Sequence, residues 1–289
     1  MGLKDRLRYL KRKSTLKKVD AVLVVSTGRT GTKFFEKFFR DLSLNAVVLH
    51  EPKPDFFGFG LDKIRDAFYG RKLTKQLIII RGILILSLQE QGLLKKGTKY
   101  VESNPFLFPI LDEYIPVFKS VKIIYITRDP KTYLVSAFNK DPSNDDRNDF
   151  YGSSDVRSRL TAADFKEMTT EAWEAFSRQE KIAWYWNKCN SILYDKYKAL
   201  DENALHVTFE ALFSGSMETR IESFKKVISF VEPTYVFDQN DDTLVALSAK
   251  KINRSKTLSG VEQFDDFDIE IQRKVLALVA PMSKKIGYL

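Results

Sequence analysis

A single α/β domain with a central parallel sheet flanked by helices is the fold this sequence predicts, and three observations predict it. The short unbroken apolar run at 21–26 (AVLVVS) reads as a strand with no exposed face, 46–49 (AVVL) as a second short strand and 121–127 (VKIIYIT) as a further buried strand. Helical stretches follow two of them: KFFEKFFRDL sets Phe34, Phe35, Phe38 and Phe39 at helical spacing, and Pro130 stands at the first turn of a helix through about Asn139. Strands that alternate with helices in this way need crossover connections, which leave a parallel sheet covered on both sides.

The remaining elements follow in order. Residues 140–159 (KDPSNDDRNDFYGSSDVRSR) are polar and aperiodic, so a long surface loop or lid is expected there. A long helix is predicted from about Asp164 to Leu200, a strand at 204–209, a helix at 218–231 and a last helix over roughly 266–285. No internal repeat is present. A chain of 289 residues that is 44% apolar can fill one sizeable core.

Charge divides the chain into a basic arm, 1–19, and a domain, 20–289. The arm holds eight Lys/Arg against one acid, a charge of +7 out of the total of +9, so the body is nearly neutral. No nucleic-acid partner is expected of such a body. Leu3, Leu7 and Leu10 lie at helical spacing among Arg6, Arg8, Lys11, Arg12 and Lys13, a pattern suited either to an anionic membrane face or to a solvated arm. The start lacks the apolar middle of a secretory signal and no run spans a bilayer, so a cytoplasmic protein, peripheral at the inner membrane face at most, is expected. One cysteine, Cys189, and two histidines, His50 and His206, leave no soft-ligand metal cluster.

The first strand runs into Thr27-Gly28-Arg29-Thr30-Gly31-Thr32 and then a helix. A strand, a tight turn and a helix start present unpaired backbone N–H groups and a helix dipole to an anion. Gly28 and Gly31 let the backbone curl; Thr30 and Thr32 add hydroxyls, and Arg29 and Lys33 add charge. The pattern is not GxxxxGK[ST]: Thr32 stands where the lysine belongs and Lys33 where the metal-binding hydroxyl belongs. A phosphate donor that needs no metal is the expectation.

Ser26 through Thr32 resembles the 5′-phosphosulfate loop of sulfotransferases that use 3′-phosphoadenosine-5′-phosphosulfate (PAPS), particularly the bacterial and carbohydrate branches with a GRxGT form. Arg128-Asp129-Pro130 after the strand VKIIYIT, with Ser136 eight residues beyond Arg128, resembles that family's 3′-phosphate motif. Weaker resemblances lie in the run Lys181 to Asn190, in His206-Val207-Thr208-Phe209-Glu210, in Lys251-Ile252-Asn253-Arg254 and in Ile286-Gly287-Tyr288. The resemblance implies a P-loop nucleoside-kinase-like sulfotransferase fold, and sulfuryl transfer in line to an acceptor hydroxyl or amine with release of PAP, no metal being required. It implies that Gly28, Arg29, Thr30, Gly31, Thr32, Lys33, Phe34, Arg128, Ser136, Asn253 and Arg254 bind the cofactor, with Arg29 and Lys33 also serving the chemistry.

The acceptor must lose a proton, and the strand at 46–49 ends at His50-Glu51, where a base would meet a site at the carboxyl edge of the sheet. Glu51 is the first candidate and His50 the second; the alternative is that the pair only caps the strand. Glu210 reads as structural. Phe34, Phe56, Phe57 and Phe59 are candidates to stack on adenine or line an acceptor groove, with core packing favoured for Phe34. A carbohydrate, lipid or small-molecule acceptor fits, and no motif encodes which. Two rival functions remain: a P-loop kinase or NTPase with Asp129 as its metal carboxylate, and a non-catalytic anion-binding module at a membrane.

Overall fold

The computed structural model describes residues 2–42, 44–66, 69–140, 150–153, 155, 159–237, 244, 246 and 260–289. In chain order the strands are β1 (Asp20–Ser26), β2 (Ala46–His50), β3 (Lys99–Ser103), β4 (Ser120–Thr127) and β5 (Ala204–Thr208). The helices are α1 (Leu3–Leu16), α2 (Thr32–Asp41), α3 (Phe59–Arg65), α4 (Tyr69–Glu90), α5 (Leu111–Tyr114), α6 (Pro130–Phe138), α7 (Thr170–Glu174), α8 (Arg178–Leu200), α9 (Phe209–Phe213), α10 (Met217–Val231) and α11 (Ile269–Ile286).

All five strands are parallel, in the order β2-β3-β1-β4-β5. The connection from β1 leads toward β2, whereas that from β4 leads toward β5. Between the carboxyl ends of β1 and β4 the chain therefore departs in opposite directions, and such a switch point leaves a crevice for a ligand.

Alternation along β1 supplies both cores. Ala21, Leu23 and Val25 face one side with Tyr100, Ile123 and Tyr125, under Leu16 of α1, Leu77 of α4 and Trp184 of α8. Val22 and Val24 face the other with Val101, Ile124 and Ile126, under the four phenylalanines of α2 and Phe224 of α10. Each fully buried aromatic or branched side chain contributes about 1.5–3 kcal/mol relative to exposure, which is why these runs form strands and not surface segments.

Several expectations change. β3 was not anticipated: KYVES has no apolar run, and its Glu102 is buried only because a partner lies opposite. The predicted helix from Asp164 to Leu200 is instead α7 and α8, separated where Ser177 caps α8 in a reciprocal capping box with Glu180. α4 was missed because its apolar residues surround the helix and show no one-sided period. The predicted polar loop falls largely on residues 141–149, 154 and 156–158, outside the described residues. The basic segment is a helix seated on α4: Leu16 is buried, and Gly82 admits Arg12 so closely that a Cβ there would lie 2.5 Å from that of Arg12. Its opposite side is open, with Leu3 75%, Leu7 58% and Leu10 49% exposed. Among the described residues no helix is long and apolar enough to cross a membrane.

Candidate active site

The β1–α2 loop is held in shape by its own side chains. Thr30 Oγ1 donates to Ser26 Oγ at 2.7 Å, and the Gly28 N–H donates to the same oxygen at 3.0 Å. Gly28, Arg29 and Gly31 all have positive φ, at 77°, 55° and 78°. Gly31 is required twice over, because a Cβ there would also lie 2.8 Å from the Phe213 ring. α2 then starts without a side-chain cap, so the N–H groups of its first turn face the crevice end of the sheet unclaimed by a capping side chain. Thr30 is fully buried and its hydroxyl braces the loop through Ser26. Thr32 and Lys33 occupy the first two positions of α2, the lysine exposed.

Arg128 leaves the end of β4 and closes on this loop. Its Nη1 donates to the Arg29 carbonyl at 2.8 Å, and its guanidinium lies 4.3 Å from the centre of the Phe209 ring. Arg29 Nε in turn donates to Ser136 Oγ at 3.1 Å, from the second turn of α6. Arg128, Arg29 and Ser136 thus form one cluster, with Ser136 joined to Arg128 through Arg29 and not directly. Burial first, and then the neighbouring charge of Arg29, pulls the Arg128 pKa down to about 10, against the opposing effect of Glu210 and Asp129. Two guanidinium groups brought together beside a helix start form a positive region that favours an anion.

Residues from three of the weaker resemblances aim Arg128. Trp186 Nε1 donates to its carbonyl at 3.0 Å. The next residue, Asp129, donates its N–H to Glu210 Oε1 at 3.0 Å, and Tyr288 Oη donates to Glu210 Oε2 at 2.8 Å. Both carboxylate oxygens of Glu210 are thus engaged within the protein. Asp129 Oδ1 accepts from the Thr132 N–H at 2.9 Å as the N-cap of α6, which argues against its use as a metal carboxylate. His206 touches Thr127 Oγ1 at 2.9 Å, and burial lowers its pKa to about 4, so it is neutral in the sheet.

The second cluster lies at the β2–β3 edge. His50 Nδ1 is 3.1 Å from the Ser103 carbonyl, which can only accept, so Nδ1 carries the hydrogen. Nε2 then faces Glu51 Oε1 at 3.6 Å. Glu51 has a positive φ of 44°, and its N–H donates to the same Ser103 carbonyl at 3.0 Å. Ser103 Oγ donates to the Thr32 carbonyl at 2.8 Å, so one serine connects the His50-Glu51 pair to the start of α2.

The aromatic candidates are mostly core. Phe34 is buried with Phe38, Phe213 and Phe224 about its ring, so its side chain packs in the core. Phe56 is buried against Arg81, and Phe59 packs on Phe56. Phe57 meets Phe106 edge to face at 5.1 Å, beside a small cavity of about 20 Å³ that Tyr185 and Arg159 also line. Asn253 and Arg254 lie outside the described residues. The one residue of the region that the sequence could have flagged is Arg81, a lone charge in the run LIIIRGILIL, since a charge so placed must find a buried partner.

Comparison with known proteins bears on the family and the fold. No curated protein matches the chain. Among solved structures, the mouse sulfotransferase SULT7A1 complexed with PAP is similar in fold, at 15% identity over 96% of this chain and 92% of that one, with a TM-score of 0.50. The family model of the sulfotransferase domain matches residues 19–273, nearly the whole of the sheet and its helices. The chain therefore belongs to the sulfotransferase family and is an enzyme that takes a sulfuryl group from PAPS and releases PAP.

Proposed function

We propose that the Ser26–Thr32 loop, with Arg29 and Lys33, holds the 5′-phosphosulfate of PAPS, and that Arg128 and Ser136 hold its 3′-phosphate. The observation that carries this reading is the cluster in which Arg128 reaches the Arg29 carbonyl and Arg29 reaches Ser136, at the end of an uncapped helix. PAPS supplies a sulfuryl group already joined to a good leaving group. Arg29, Lys33 and the first-turn N–H groups of α2 stabilise the negative charge that grows on the departing oxygen. Glu51 takes the acceptor's proton. His50 is its neighbour: Nε2 lies 3.6 Å from Glu51 Oε1, and a small approach brings it within reach of a proton on that carboxyl. The acceptor is a hydroxyl or amine on a carbohydrate, lipid or small molecule.

Calorimetry tests the donor site: PAP binds with a Kd on the order of micromolar without Mg²⁺, and ATP binds more weakly. Equal affinities, or a strict need for Mg²⁺, point to the kinase reading.

The protein is proposed to work in the cytoplasm, in peripheral contact with an anionic membrane. The open leucine side of α1, a helix with six basic residues, supports this. Because Leu16 belongs to the core, the segment is best probed at its surface: Leu3→Ser/Leu7→Ser/Leu10→Ser removes salt-sensitive binding to phosphatidylserine vesicles and leaves PAP affinity intact. Vesicle binding that survives the triple substitution removes the membrane proposal.

A further inference from the structure

Arg81 and Glu102 form an ion pair with no solvent exposure on either side chain. Arg81 Nη2 donates to Glu102 Oε1 at 2.8 Å and Nε to Oε2 at 3.0 Å. Glu102 is further bound by the hydroxyls of Tyr100 at 2.8 Å and Tyr114 at 2.6 Å, and by the Asn104 amide at 2.9 Å. Burial, followed by Glu102, keeps both tyrosines protonated, so they act as donors. Stability alone does not explain such a pair, because well-packed apolar residues often replace buried ion pairs without loss.

The remaining arm of the guanidinium does something an apolar residue cannot. Nη1 donates to the carbonyls of Pro52, at 3.2 Å, and Pro54, at 3.0 Å. Pro52 follows Glu51 directly and Pro54 lies two residues further on; the left-handed backbone of Glu51 is held on its other side by the bond from its N–H to Ser103. A non-glycine residue in that region is strained and persists only where its surroundings over-determine it. Ser103 on one side and Arg81 on the other supply that constraint.

We propose that Arg81, braced by Glu102, is the positioning residue of the acceptor half of the site: it fixes the backbone after Glu51 and so aims the Glu51 carboxylate at His50 and the incoming acceptor. The catalytic part of this inference rests on the reading of Glu51 as base; the positional part does not. Arg81→Lys keeps a cation for Glu102 but cannot span both proline carbonyls.

The chain has only two histidines, so the imidazole NMR signals of His50 report the place of Glu51 with His206 as an internal reference. In Arg81→Lys the His50 signals move in the same direction as in Glu51→Gln, the His206 signals stay, and PAP affinity changes less than twofold. Turnover of an acceptor found by labelled-sulfate screening falls roughly 10- to 100-fold in kcat with little change in KM, as for a misplaced catalytic group. Arg81→Lys combined with Glu51→Gln is no slower than Glu51→Gln alone. If Arg81→Lys is too unstable to study, Tyr114→Phe, which removes one hydroxyl and keeps the ion pair, shows the same displacement of His50 at smaller size. Unmoved His50 signals in a folded variant overturn the proposal, as does a kcat loss that multiplies with that of Glu51→Gln. Full turnover by Glu51→Gln with displaced His50 signals in Arg81→Lys removes the base assignment and leaves the positioning role standing.

Discussion

The two halves of the site are built on opposite electrostatic plans. At the β1–β4 crevice, Arg29 and Arg128 stand together at an uncapped helix start, and each charge disfavours the other. At the β2–β3 edge, the buried cation Arg81 is enclosed by Glu102, two tyrosines and backbone carbonyls, and its polar groups are satisfied within the protein. The first half is the one we propose to receive the donor's anionic groups; in the second, the cation's charge is matched by a carboxylate of the protein itself. A donor that leaves as a multiply charged nucleotide and an acceptor that has only to be oriented and deprotonated make different demands, and the contrast follows from them.

The largest effect is expected where the preorganised half meets the chemistry. Glu51→Gln keeps the size of the side chain and loses its basicity, so kcat falls about 10²–10⁴-fold while PAP affinity and the melting curve hold. His50→Ala loses less. A fully active Glu51→Gln beside an inactive His50→Ala moves the base to His50; if both stay active, the pair is only a strand cap.

Next comes the loop of the other half. Gly31→Ala introduces a strained φ and a clash with Phe213, at a combined cost of about 2–4 kcal/mol, and PAP binding falls with it. Phe213→Leu in the same chain recovers part of the loss. Gly28→Ala is milder, because its Cβ would meet nothing closer than Pro105 at 3.8 Å. Equal effects at the two glycines would mean that backbone strain alone, and not the approach of Phe213, dictates the loop.

The same contrast explains what could be read from the sequence. The anion half is local: Gly28, Arg29 and Gly31 follow a buried strand within a few residues, and Arg128 follows another, so strand, turn and helix signals locate them. The base half is assembled from distant pieces. His50-Glu51 were visible as a strand end, but Ser103, Glu102, Tyr114 and Arg81 meet them only because β3 inserts between β1 and β2. β3 lacks an apolar run, and its register cannot be inferred without the buried Arg81 that makes Glu102 tolerable. Thr30 and Phe34 illustrate the limit of local reading in the loop itself: both stand in the right segment, yet one hydroxyl turns inward to Ser26 and one ring turns into the core, because a helix start has an inner and an outer side.

The central claim is that Arg128 reads the phosphate that distinguishes PAP from simpler nucleotides. Calorimetry of Arg128→Ala with PAP and with adenosine 5′-phosphate, which lacks only the 3′-phosphate, tests it most directly. The account predicts that PAP binding weakens by on the order of 2–3 kcal/mol, the size of lost charge-assisted hydrogen bonds. Adenosine 5′-phosphate loses much less, its residual loss arising from the missing support of the Arg29 carbonyl. An equal loss for both ligands would contradict the claim and reduce Arg128 to a brace for the loop.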